Sequence, residues 1–217
     1  PAMAELGQRL AATGSAPLAA ARWTIGDLTT GPLPSADLVV AAYVLGEIDD
    51  RARPGVVDAL WAATGGAILL VEPGSRAGFA RVLAARDGLI ARGGLVAAPC
   101  PGNVPCPVRD PAWCHFLARL DRSPLQRQAK GAERSWEDEP YAYAVIVRPE
   151  RARAFGLRPA PRVVLGRPRR RPGRVELRVC ADGRVETVIR SRRDGAVYRA
   201  AIDLDWGDRI EEPDPEL

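Results

Sequence analysis

Residue types that catalysis commonly draws on are scarce in this 217-residue sequence: it has one histidine (His115), one lysine (Lys130) and one methionine (Met3). A lone histidine that adjoins Cys114 leaves no two-histidine metal constellation and no Ser–His–Asp arrangement to propose. No apolar run approaches the roughly 20 residues that a membrane span needs. The opening PAMAELGQRL has neither the cationic nor the apolar region of a secretory signal, so a cytosolic or organelle-matrix protein is expected. Thiols in those compartments stay reduced unless they are catalytic or hold metal, which argues against disulfides. No internal repeat is present.

Against these absences stand four cysteines, three of them in CPGNVPCPVRDPAWCHF as Cys100, Cys106 and Cys114; the fourth, Cys180, lies far downstream. Prolines at 99, 101, 105, 107 and 111 hold the first stretch extended and remove backbone donors. Four thiolates make up the ligand set of a 4Fe-4S cluster or a tetrahedral zinc. The spacing C-x5-C-x7-C with a distant fourth ligand differs from the C-x2-C knuckles of most zinc ribbons. Spacing does not fix the metal, so zinc stays open, as do redox thiols and buried core cysteines.

The net charge of +4 understates an asymmetry: residues 148–174 carry ten arginines against one acid, Glu150. Guanidinium forks match phosphate geometry, so this tract suggests contact with a nucleic-acid backbone. Codon bias in a GC-rich genome would explain arginine replacing lysine, but it does not explain the loss of acids.

Along the chain, Met3, Leu6 and Leu10 predict a helix over 2–12, and ARWTIGD (21–27) reads as a short strand. DLVVAAYV (37–44) and GGAILLVEPG (65–74) are apolar runs that fit strands buried on both faces. Helices follow over 54–64, with Pro54 near its start, and over 76–94, with Phe79, Val82, Leu83, Arg86, Leu89 and Ile90 on one stripe. LVAAP (95–99) is a strand that runs into the cysteine loop, a helical piece is expected over 113–120, and PYAYAVIVR (140–148) is a strand. RVELRVC, RVETVIRS and AVYRAAID, separated by ADG and RRDG, read as short antiparallel strands. This alternation predicts an α/β fold with a parallel sheet and a small antiparallel β unit at the C-terminus. The expected parts are 1–148 with a cysteine insert at 99–139, an arginine-rich connector at 149–173 and a β unit at 174–217.

DLVVAAYVLGEI followed by a glycine pair and a strand ending in VEPG resembles the second half of a class I S-adenosylmethionine-dependent methyltransferase sheet. APCPGNVPCP, WCHFLARLDRSPLQRQAKG, EDEPYAYAVIVR and RVELRVCADG together resemble the methyltransferase-like small-ribosomal-subunit assembly factors of bacteria and mitochondria. The resemblance runs from residue 1 to about residue 210. It implies a 4Fe-4S cluster on Cys100, Cys106, Cys114 and Cys180, and a conformational or RNA-facing role for His115. One metal shared by these four would staple the C-terminal unit to the methyltransferase part, and its loss would undock that unit.

The same resemblance places Asp27 and Leu28 near the adenine of S-adenosylmethionine, and Tyr43 and Glu47 on the cofactor and substrate side. The plain alternatives are a turn role for Asp27 and a solvated loop acid for Glu47. Arg167, Arg169, Arg170, Arg171 and Arg174 become the candidate RNA contacts. The Gly-rich loop after strand one and the acid after strand two of such enzymes are missing. Those contacts are expected upstream of Pro1. Without strand one, DLVVAAYV would expose an apolar edge, so this piece alone is expected to be insoluble or a poor cofactor binder.

The leading expectation is therefore a monomeric factor on small-subunit rRNA, in a bacterial cytoplasm or a mitochondrial matrix, with no membrane partner. AAYVLGEI lacks an Asn-Pro-Pro-aromatic motif, so methyl transfer is an open matter and activity is expected to be weak or vestigial. The alternative is a small-molecule methyltransferase with a structural zinc, which leaves the arginine tract and the C-terminal unit without a role.

Overall fold

The computed structural model describes residues 2–157 and 162–210; residues 158–161 of the arginine-rich tract and 211–217 of the C-terminal unit lie outside the described residues. Contacts divide the chain into two units, Pro1–Leu33 and Pro34–Leu217.

In the first unit, the helical spacing of Met3, Leu6 and Leu10 is realised as α1 (Ala2–Ala12), followed by the short α2 (Ala16–Ala19). The strand expected at 21–27 does not form. A strand needs a ladder for its backbone groups, and the described residues of this unit offer none. The Trp23 ring instead lies on α1 at Gly7, where an added Cβ would come within 2.5 Å of the indole.

The second unit opens with β1 (Ala36–Ala42), α3 (Arg53–Ala63), β2 (Thr64–Pro73), α4 (Arg76–Ala91) and β3 (Leu95–Ala98). It continues through β4 (Phe116–Asp121), α5 (Pro124–Lys130) and β5 (Trp136–Val147). Both α3 and α4 start where the sequence allows it. Pro54 lies in the first turn of α3, and the Ser75 side chain accepts the Gly78 N–H at the start of α4. The sheet order is β1-β2-β5-β3 with β4 also on β5. β1 and β2 are parallel, whereas β5 runs antiparallel to β2, β3 and β4. The fold is thus mixed α/β with a mixed sheet. On β2, Ile68, Leu70 and Glu72 recur at period two and are wholly buried.

Two expectations change here. β1 is not buried on both faces: it is the edge of this sheet among the described residues, and Leu38 and Val40 are 58% and 53% exposed. Residues expected as a helical piece at 113–120 enter β4, because the first half of β5 offers them a ladder from Phe116↔Tyr141 to Asp121↔Trp136. Local apolar spacing lost to this long-range pairing.

α6 (Pro149–Ala152) leads towards a second sheet. It contains β6 (Arg162–Val164), β7 (Arg169–Arg171), β8 (Arg174–Ala181), β9 (Arg184–Ser191) and β10 (Arg209–Ile210), all antiparallel, in the order β10-β6-β8-β7 with β9 on the other side of β8. Two of these strands come from the tract expected as a connector. The ADG signal holds: Asp182 (φ 44°) and Gly183 (φ 70°) form the β8–β9 turn, as a two-residue hairpin requires. RRDG and AVYRAAID do not make a hairpin and strand. Ser191 and Asp194 form a capping box around a tight turn, and α7 (Gly195–Asp203) follows. Tyr198 and Ala201, three residues apart, pack with Leu204 on Val175, Leu177 and Val179. Among the described residues no helix is long and apolar enough to cross a membrane.

Candidate metal centre

The cysteine loop is an excursion from a single line of strand pairing. β3 leaves β5 with Ala98 opposite Val145, and β4 rejoins it with Phe116 opposite Tyr141, in the same direction. Residues 99–115 are therefore pushed out of the sheet between two fixed points, with Cys100 two residues beyond one and Cys114 two residues before the other. Asn103 pins the loop from within: its Oδ1 accepts the Val96 N–H (2.8 Å) and its Nδ2 donates to the Gly94 carbonyl (2.9 Å). Trp113 Nε1 donates to the Gly74 carbonyl (2.8 Å) at the end of β2.

The second sheet meets the loop. The Gly183 turn lies against Val104 and Pro105, where an added Cβ would be 3.4 Å from the Pro105 carbonyl oxygen. Trp206 packs edge-on to His115 (4.6 Å) and against Phe116 (5.7 Å), and the Arg209 guanidinium donates to the Ala97 carbonyl (2.6 Å). Cys180, on β8 opposite Val163 of β6, is carried to the same place. As a result Cys100, Cys106, Cys114 and Cys180 all line one cavity between the two sheets, with Val82, Arg86, Phe116, Tyr143 and Val163 among its walls. Cys180 is buried and the other three are half-buried; all four are free.

Burial pushes the Cys114 thiol up to about 12, with Cys100, Cys106 and Cys180 adding to the rise and Arg178 opposing it. Cys180 also rises to about 12, through burial first and then Cys100 and Cys106, against the pull of Arg86. Cys100 is raised by burial, again opposed by Arg86. Without a cation these are protonated thiols, and a metal that binds here must displace their protons. Among the described residues no three His, Cys, Asp or Glu side chains are grouped so as to hold a metal ion. All four cysteines nonetheless line the one cavity.

The donor set nevertheless fits an iron–sulfur cluster. It has four soft ligands in an otherwise apolar cavity, and beside them a buried arginine, Arg86, whose Nε has no hydrogen-bond partner among the described residues. His115 is no part of that set: it stacks on Trp113 (5.4 Å) and meets Trp206 edge-on, and burial lowers its pKa, countered by a hydrogen bond with the Trp113 backbone.

The family model described as mitochondrial small ribosomal subunit Rsm22 matches residues 1–211. The chain belongs to the Rsm22 family. It is 32% identical over 201 residues to a human protein named ribosome assembly protein METTL17, mitochondrial. That match covers 84% of this chain but 41% of the human protein, so the chain spans about two fifths of that relative's length. The resemblance to methyltransferase-like small-subunit assembly factors read from the cysteine and strand motifs is thereby borne out.

The other candidate residues of this Rsm22-family chain are not among those that line the cavity. In the first unit, Asp27 is exposed and Leu28 half-buried. The Asp27 carboxylate accepts from the Thr29 hydroxyl (2.7 Å) and N–H (2.8 Å), bonds that lower its pKa. In the second unit, Tyr43 and Glu47 occupy the exposed loop after β1. Tyr43 has φ 57°, uncommon for an aromatic residue, and donates its N–H to the Val71 carbonyl (2.8 Å). Burial, then Glu139, Glu72 and Tyr141, raise its pKa.

Two groups that the sequence reading did not single out hold this loop. Buried Glu72 accepts from the Leu45 N–H (2.9 Å) and from Arg81 Nε (2.8 Å), while Arg53 donates to the Leu45 and Ile48 carbonyls (2.8 Å each). An acid ending an apolar strand, as in ILLVEP, was the available signal.

Arg167, Arg169, Arg170, Arg171 and Arg174 are all exposed. Arg169 and Arg171 pair across the ladder with Glu176 and Arg174, so they share a sheet face with those residues and, by alternation along β8, with Arg178 and Cys180. Arg170 lies on the opposite face and donates to the Ile202 carbonyl (2.9 Å). Arg174 pairs with Glu176 (3.0 Å). Arg167 is close enough to Asp138 to help Arg119 hold that carboxylate low. Arg178 is an addition of the structure: it continues the face inwards from Arg174 towards Cys180.

Proposed function

We propose that this chain is the methyltransferase-like part of a factor that acts in assembly of the small ribosomal subunit. In this reading Cys100, Cys106, Cys114 and Cys180 hold a 4Fe-4S cluster, and the face bearing Arg169, Arg171, Arg174 and Arg178, with Arg167 beside it, contacts rRNA. The observation that carries it is the convergence of the four cysteines, from a loop of one sheet and a strand of the other, on one cavity. The family description and the human relative's name supply the ribosomal setting and favour a mitochondrial matrix.

A 4Fe-4S cube takes one thiolate on each of its four irons, and the four cysteines that line this cavity supply that number. When bound, the cluster supplies a covalent link between the loop after β3 and β8. The chain's own residues prepare for it: Asn103 and Trp113 fix the loop, and the Asp182–Gly183 turn sets β8 against it.

S-adenosylmethionine, if bound, would meet Tyr43 and Glu47 on the loop held by Glu72. Asp27 and Leu28 of the first unit are candidate adenine contacts on the family resemblance alone. The exposed Leu38 and Val40 edge of β1 is where a methyltransferase-like sheet would continue. The loop carries no proton acceptor set in an Asn-Pro-Pro-aromatic frame, and we assign the fold a platform role on the subunit.

Anaerobic purification tests the cluster. Iron and acid-labile sulfide are expected in equal amounts, and Cys180→Ser should lose both and open residues 162–210 to protease. Zinc without sulfide, or an unchanged metal content and protease resistance in Cys180→Ser, refutes it. For RNA, co-sedimentation with small subunits should weaken as salt rises. Replacing Arg169, Arg171 and Arg174 by Gln should lower the salt slope by about one per lost phosphate contact. Salt-independent binding refutes that half.

A further inference from the structure

Arg86 stands on the apolar stripe of α4, between Val82 and Leu89, and is 3% exposed. A buried guanidinium is costly unless its charge and its N–H groups are met. One terminal nitrogen donates to the Gly102 (3.0 Å) and Val104 (2.7 Å) carbonyls, both within the cysteine loop. The other reaches Asp87 Oδ1 (2.5 Å), whose side chain is 55% exposed and largely screened by water. Nε is buried and has no hydrogen-bond partner among the described residues. The group also lines the cavity beside all four cysteines, from α4 of the first sheet's helical layer. Carbonyl dipoles and a solvated acid leave most of this charge uncompensated.

Resting on the cluster reading above, we propose that Arg86 is the fixed counter-cation of this cavity: its guanidinium positions the 99–106 loop and offsets the negative charge of an anionic, thiolate-ligated cluster. The residue answers two needs at once. It grips the loop through its carbonyls, and it presents a positive charge to sulfurs contributed by both sheets. Reduction potentials of such clusters follow net charge and hydrogen bonds to sulfur, so a fixed cation has a signature that a mere packing role lacks.

The test uses the anaerobically purified protein with Arg86→Gln and Arg86→Lys, read by iron content, by the rate of iron release to a chelator and by spectroelectrochemical midpoint potential. Arg86→Gln is expected to hold iron about 10- to 100-fold more weakly, the range typical for a lost outer-shell partner, and so to release it faster to the chelator. Whatever cluster it retains should show a more negative potential, because removing a cation disfavours the added electron. Arg86→Lys, which keeps the charge but not the fork, should hold its potential near that of the parent and lose less iron.

If the parent protein binds no iron or sulfide, the cluster reading fails and this inference with it. If the parent holds a cluster and Arg86→Gln matches it in iron content, release and potential, the inference alone is overturned. Equal iron loss in both variants also overturns it, since charge would then count for nothing. Should Arg86→Gln fail to fold, the Arg86→Lys potential decides: a shift to more negative values refutes the assignment.

Discussion

Replacing Glu72 tests how the loop after β1 is held. The carboxylate is wholly buried and serves two donors, the Leu45 N–H and Arg81 Nε. Glu72→Gln keeps an oxygen for Leu45 and removes the ion pair. Deleting one partner of a buried pair costs about 3–5 kcal/mol. The Arg81 side chain keeps 22% of its exposure, so part of its charge returns to water, and the loss falls to about 2–3 kcal/mol. Glu72→Ala also strands the buried Leu45 N–H, which adds about 1–3 kcal/mol.

In a chain of this size each kcal/mol moves the midpoint by about 2–4 °C, so Glu72→Gln should lower Tm by about 4–12 °C. Urea unfolding of Glu72→Gln, Arg81→Met and the double variant gives the coupling, expected at about 1–3 kcal/mol. Limited proteolysis should find new cuts at 43–48 in the Gln variant. A loss below about 0.5 kcal/mol with no coupling would refute this account of the loop.

Three further outcomes are expected. Arg148 closes the α3–β2 junction, with its guanidinium 3.9 Å over Trp61 and bonds to the Thr64 (2.9 Å) and Trp61 (2.5 Å) carbonyls; Arg148→Lys should cost about 1–2 kcal/mol with an unchanged urea m-value, and a neutral result refutes the clamp. A side-chain hydrogen bond from Arg119 holds Asp138 below its ordinary 3.8, so its contribution is complete above pH 3.8 and is lost as pH falls through the lower folded value. Carboxyl-carbon NMR should show the Asp138 pKa climbing towards 3.8 in Arg119→Ala, and an unmoved pKa contradicts the pairing. Gly78 lets α4 approach the end of β2, where an added Cβ would be 2.0 Å from the Pro73 oxygen; Gly78→Ala should lower stability by about 1–3 kcal/mol, and an unchanged Tm excludes so close an approach.

The main elements of the methyltransferase-like part were legible in the chain because their signals are local and strong. Apolar runs between glycines became β1 and β2, and the stripe from Phe79 to Ile90 became α4 within a few residues of its expected end. The misreadings share one cause. Residues 113–120 and 196–203 are short, and their state is set by what they pair with: β5 draws the first into a strand, while the apolar face of β8 draws the second into a helix. Arg86 was visible on the α4 stripe, but an arginine among apolar residues in a sequence has no stated partner.

Sequence alone determined the identity of the donors: four cysteines, three of them bound to a proline-stiffened loop, and an arginine tract nearly free of acids. Those are matters of residue type and spacing, which folding does not change. Tertiary structure decided that Cys180 meets the other three, that Arg86 faces them, and that β7 and β8 place Arg169, Arg171, Arg174 and Arg178 on one face leading to that cavity. The reason is range: strand alternation assigns faces locally, but only pairing between distant segments brings residue 180 beside residue 100.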